Sequence, residues 1–165
     1  MKKYISCVLL TAMLVMSSAC GSADTKQTQD AGISMPDLQE AMLAADTTLP
    51  DMTKTSSEDE QAELNFTSLT DISYDKIDAY FYAYATEGTA EEIAVIRLKD
   101  KNDAAAMMES LHEHITQRQG TFQEYAPEQA VLTEKAVVTR QGLYVALIIS
   151  SKNGLVQKAF EKSFE

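Results

Sequence analysis

The sequence predicts an α+β domain. Its core is a four-stranded antiparallel sheet of β-β-α-β-β-α order, with helices mainly on one face and a further helix on the N-terminal side. Three observations carry this. Ala79 to Ala85 alternates Tyr80, Tyr82 and Tyr84 with Phe81 and alanines, the period-2 pattern of a strand. Lys101 to Glu124 places Ala104, Met108, Leu111, Ile115 and Phe122 on one stripe, the period of a helix. Gln141-Gly142 alone separates two strand-like runs, which suits a tight hairpin with glycine in a left-handed position.

In chain order, Ser34-Met35-Pro36-Asp37 opens the first helix: a capping serine, a proline suited to the first turn and an acid near the positive helix end. Leu38, Met42 and Ala45 follow at helical spacing, and the helix ends before Thr47-Thr48-Leu49-Pro50. Residues 51–65, with Glu58, Asp59, Glu60 and Glu63, read as a solvated loop or marginal helix. After the tyrosine strand, Thr86-Glu87-Gly88-Thr89 breaks the pattern and Glu92 to Leu98 forms the second strand. Tyr125-Ala126-Pro127 ends the long helix, because the residue before a proline disfavours helical backbone. Ala136 to Arg140 and Leu143 to Ser150 are the third and fourth strands. The fourth is apolar on both faces, so both need cover. Asn153-Gly154 turns the chain into a last helix bearing Leu155, Val156, Ala159, Phe160 and Phe164.

The N-terminus has the layout of a secretory signal. Lys2 and Lys3 precede an apolar run from Ile5 to Met16, then Ser17-Ser18-Ala19 and Cys20. The run is shorter than the roughly 20 apolar residues a bilayer span needs. Ser17-Ser18-Ala19-Cys20 resembles the lipobox of bacterial lipoproteins, with serine where leucine is usual. The expectation is a signal peptide over 1–19, diacylglyceryl modification of Cys20, a flexible polar tether over 20–34 and a single domain over 35–165. The protein is then held at the outer face of the bacterial cytoplasmic membrane.

Without the signal, 12 basic residues face 25 acidic ones, a net charge of −13. That balance excludes nucleic acid as a partner and leaves lipid as the membrane attachment. Cys7 departs with the signal and Cys20 is modified, so no thiol remains for a disulfide, a metal or catalysis.

Several separated segments carry a family resemblance. They are Tyr82-Ala83-Tyr84, Glu91 to Asp100, the helix to Arg118, Thr121-Phe122, Tyr125-Ala126-Pro127-Glu128, Ala136-Val137-Val138 and Gly142-Leu143-Tyr144-Val145. In this order they resemble a family of small lipoproteins from Gram-positive anaerobes, catalogued as domain of unknown function 4358. The resemblance covers residues 35–164. It implies the same exported, lipid-anchored setting, but no activity and no catalytic or binding residues.

Chemistry-bearing patterns are sparse. His112 and His114 lie about 160° apart around a helix and do not share one ion. Glu109 and His112 have Glu-x-x-His spacing, but a di-iron site needs a second such pair. The acidic stretch lacks a calcium-loop pattern, and no serine sits in Gly-x-Ser-x-Gly or Ser-x-x-Lys. No motif implies a cofactor or metal. The main functional candidate is the row Tyr80, Tyr82 and Tyr84, joined by Tyr144 from the fourth strand. Packing, under the N-terminal helix, is the favoured reading of the row; an aromatic platform for a glycan, peptide or protein is the functional one. The expected function is a non-enzymatic binding or interaction module. The alternatives are an accessory subunit of an envelope complex, or a cell-wall hydrolase using carboxylates among Glu87, Glu91, Glu92 and Glu124.

Overall fold

Glu92–Leu98 lies at the centre of a five-stranded antiparallel sheet in the computed structural model, which describes residues 32–165. The leader, Cys20 and all but the end of the tether lie outside the described residues. The elements are α1 (Met35–Ala44), β1 (Met52–Ser56), α2 (Ala62–Thr67), β2 (Ile77–Ala85), β3 (Glu92–Leu98), α3 (Ala104–Tyr125), α4 (Pro127–Thr133), β4 (Val137–Gln141), β5 (Tyr144–Ile149) and α5 (Asn153–Lys162). The strand order is β1-β2-β3-β5-β4. No helix of the described residues is long and apolar enough to cross a membrane.

Local signals account for several element boundaries. The Ser34 side chain accepts from the Asp37 N–H and Pro36 lies in the first turn of α1. Gly142 turns β4 into β5 at φ 57°, where a side chain would strain the backbone. Ala126 is extended at φ −152°, because Pro127 follows it.

Three expectations are corrected. The sheet has five strands, not four, because part of the stretch read as a loop or marginal helix is β1. Met52 to Ser56 pairs with Ala85 to Phe81 in unbroken register. This edge strand is held by backbone hydrogen bonds, so its polar sequence shows no apolar alternation. Ala62–Thr67, at the end of that stretch, forms the short helix α2. Pro127, read as a stop, also starts a helix: its missing N–H costs nothing in the first turn of α4. Finally, helices cover both faces of the sheet. Phe66, Met107, Leu111, Phe122 and Ala130 from α2, α3 and α4 close one face over Tyr80, Tyr82, Ala94, Ile96, Val145 and Leu147. Leu38, Met42, Val156 and Phe160 from α1 and α5 close the other over Phe81, Ile93, Val95, Tyr144, Ala146 and Ile148. The cause is β3 and β5, apolar on both sides; leaving either face wet would forfeit about 1.5–3 kcal/mol per large side chain.

Candidate functional site

The tyrosines do not form an exposed surface. Tyr80 and Tyr82 are 0% and 5% exposed, and Tyr84 is half-buried. They lie under α2 and α3, not under α1. The Tyr80 hydroxyl donates to the Ala62 carbonyl at 2.7 Å, which ties α2 to the sheet. Burial pushes the Tyr80 hydroxyl up to about 12. Tyr144 does not join this row. It is 1% exposed on the opposite face, where its ring meets Phe164 edge-on at 5.0 Å. Strand alternation sets this: Tyr144 pairs with Arg97, out of phase with Ala94 and Ile96.

The polar chemistry of the molecule concentrates beside the tyrosine row, on Glu92. Alternation along β3 places Glu92 on the same face as Ala94, Ile96 and Leu98, under α3. Its side chain is 1% exposed. Burying a carboxylate costs several kcal/mol unless it is well paired, and α3 supplies both partners. His114 and Arg118, one helical turn apart, share a face of α3. His114 Nε2 lies 2.7 Å from Glu92 Oε2, and Arg118 Nε lies 2.5 Å from Glu92 Oε1. The Arg118 guanidinium also stacks over Phe122, 4.7 Å from the ring centroid, a further stabilising contact. Tyr84 sits directly opposite Glu92 on β2, its ring 5.0 Å from that of Tyr82. Burial, then the Glu92 charge, pushes the Tyr82 hydroxyl well above the ordinary tyrosine range.

One turn earlier on α3, Ser110 donates to Asp71 Oδ1 at 2.7 Å and shares a 2.7 Å hydrogen bond with Thr70. Ser110, Glu113, His114 and Gln117 face residues 67–71 across a polar pocket of about 170 Å³. A second buried carboxylate, Asp46, lies just past α1. It accepts from the Thr48 N–H and hydroxyl at 2.8 and 2.6 Å and from Ser150 at 2.5 Å. Burial raises its pKa, but the hydrogen bonds from Ser150, Thr48 and the Lys152 N–H outweigh it and hold the carboxyl below its ordinary value.

The carboxylates proposed for a hydrolytic cleft do not converge. Glu87 and Glu124 are exposed, Glu91 is half-buried and Glu92 is buried. One Glu91 oxygen, the Thr89 hydroxyl and the Arg118 Nε are buried without a hydrogen-bond partner among the described residues, so Arg118 meets Glu92 as an ion pair by distance. His112 and Glu109 point to solvent. Among the described residues no three His, Cys, Asp or Glu side chains converge as metal ligands would.

Sequence reasoning named Glu92 but missed its partners. Two signals were present: a charge at an inward position of an apolar strand, and a His-x-x-x-Arg pair bordering the apolar stripe of α3. Residues 51–150 match a family model described as Domain of unknown function (DUF4358). That span includes the whole sheet and α2 to α4, but neither α1 nor α5. No curated protein and no solved structure matches the chain. Because the match covers well over half of its residues, the chain belongs to the DUF4358 family.

Proposed function

We propose that this protein is an exported lipoprotein, anchored through a diacylglyceryl group on Cys20. Its folded domain works as a non-enzymatic interaction module at the outer face of the membrane. The charged start, apolar run and small residues before Cys20 support the anchor. One observation supports the module reading: the buried Glu92 carboxylate lies within ion-pair distance of both His114 and Arg118. That arrangement fastens α3 to the sheet, a positional role for a buried carboxylate.

The anchor is tested by labelled palmitate in cells making the full chain. Incorporation into the wild type and none into Cys20→Ala is the expected result. A Cys20→Ala protein that stays in the membrane fraction overturns it.

A cell-wall hydrolase is a second reading with one observation in its favour. Ser110 and His114 line the same pocket, and Glu92 backs the histidine. Against it, the Ser110 hydroxyl is held by Asp71 and Thr70. Purified peptidoglycan incubated with the protein decides the matter. Soluble fragments released by the wild type, and lost in Ser110→Ala, replace the module reading with the hydrolase.

A further inference from the structure

We infer that the groove between α4 and the start of α5 docks a short acidic peptide segment carrying an apolar side chain. The proposal deepens the interaction-module reading and rests on it. The groove has a volume of about 540 Å³ and is lined by Leu132, Lys135, the turn from Ser150 to Asn153, Gly154 and Leu155. Leu155 is 54% exposed, while Val156 and Phe160 on the same helix are fully buried. With half-buried Leu132 it supplies an apolar floor.

The charge of the lining sets the occupant. The protein carries 25 acidic residues, yet among the described residues none lines this groove, while Lys135 and Lys152 do, both exposed. The first turn of α5 also lacks an acid, and its N-terminus has no side-chain cap. The Leu155 and Val156 N–H groups are bonded to the Lys152 carbonyl, and the positive end of the helix dipole adds to the potential of the lysines. A Cβ built on Gly154 meets nothing within 4 Å, so there is room at this helix end. Asp46 lies behind Ser150, buried and hydrogen-bonded, and does not line the groove. The protein as a whole carries a net charge of −11, but at physiological salt charges are screened over about 8 Å, so the local lysines dominate at contact.

The walls are fixed in advance. Asn153 accepts from the Ser150 N–H at 2.7 Å and donates to the Lys135 carbonyl at 2.6 Å, locking the β5–α5 turn to the α4–β4 turn. A preformed groove spends less of its binding free energy on ordering.

Fluorescence anisotropy on the full chain tests this, with a labelled peptide alternating glutamate and leucine. Two controls replace its glutamates with lysine or its leucines with serine. The Glu/Leu probe is expected to bind best, and Lys135→Glu with Lys152→Glu to weaken it by about tenfold or more. Leu155→Ser should weaken it by about threefold to tenfold, and Lys54→Glu on distant β1 should leave it unchanged. All four positions are solvent-facing or at a strand edge, and unchanged melting curves confirm folding. Three results overturn the proposal: no binding up to about 1 mM, equal binding of the lysine probe, or equal binding to the double variant. Self-association lost in Leu155→Ser makes a second copy the occupant and also overturns it. Failure here leaves the palmitate and peptidoglycan results standing, so it is separable from failure of the module reading.

Discussion

Beneath α1 and α5 the sheet presents Phe81, Ile93, Val95, Tyr144, Ala146 and Ile148, met by Leu38, Met42, Val156 and Phe160. Beneath α2 to α4 it presents tyrosines, aliphatics and Glu92, and the covering helix carries His114 and Arg118 onto that carboxylate. The first face is held by apolar contact, which is non-directional. The second adds a charged pin with a fixed direction. Sliding α3 by one residue rotates its side chains by about 100° and strands a buried negative charge. The apolar face therefore supplies stability, while the polar face also selects one placement of α3; whether that selection is needed for a unique fold is a testable matter.

The largest effect expected is on the first face. A chain trimmed to residues 51–150 loses α1 and α5, and with them Leu38, Met42, Val156 and Phe160. At about 1.5–3 kcal/mol each, that loss rivals the 5–15 kcal/mol by which domains are typically stable. The trimmed chain should bind a hydrophobic dye and melt without a cooperative transition; a sharp melt like that of the full chain breaks the comparison.

On the second face, His114→Leu with Arg118→Met leaves Glu92 buried and unpaired. Urea unfolding should show a loss of about 3 kcal/mol. Adding Glu92→Leu should restore most of it, since a well-packed apolar trio can replace a buried ion cluster. Full stability with broadened NMR signals for α3 in the triple variant would show that the pin selects placement rather than adding stability.

A smaller effect belongs to Tyr80. Tyr80→Phe removes its hydrogen bond to Ala62 and should cost about 1 kcal/mol. Its pKa is raised from 10.0 to about 12 by burial, so the unfolded chain loses this proton first. The stability it contributes is full below pH 10 and falls as pH rises through that window. Tyr80→Phe should flatten part of the alkaline loss; an unchanged alkaline limb assigns it to other tyrosines.

The smallest expected effect is acid sensitivity at Asp46. Its folded pKa lies below the ordinary 3.8, so the unfolded chain takes up the proton first. Its contribution is present above that value and is lost as pH falls through the folded pKa. Asp46→Asn should reduce the drop in melting temperature between neutral and acid buffers. An equal drop in the variant removes Asp46 from the account.

The legible parts of the fold were those written in periodicity. β2 shows alternation, β4 and β5 a two-residue hairpin, and α3 an apolar stripe. β1 was illegible because Met-Thr-Lys-Thr-Ser at a sheet edge is held by main-chain pairing, which side-chain pattern does not record. α4 was hidden because Pro127 both ends one helix and begins another. Two-sided cover was hinted at by β5, apolar throughout. At the site, Glu92 stood out as a charge among Ile93, Ala94, Val95 and Ile96. Its partners did not, because which residues of α3 come to lie over β3 is set by packing rather than sequence spacing. Tyr144 was placed on the wrong face for a related reason: a tyrosine reads the same on either side of a strand until the register is known.

The strand order has a consequence for the timing of folding. β5 is an interior strand between β3 and β4, yet it follows β3 in the chain only after α3, α4 and β4. β2 and β3 are local neighbours and can meet early. β3 finds its other partner only after α3, α4 and β4 have been released, and α1 finds α5 later still. Non-local pairing of this kind slows folding. A chain that emerges N-terminus first therefore holds the apolar edge of β3 unpaired until β5, Tyr144–Ile149, is free, the interval in which a chaperone has most to protect.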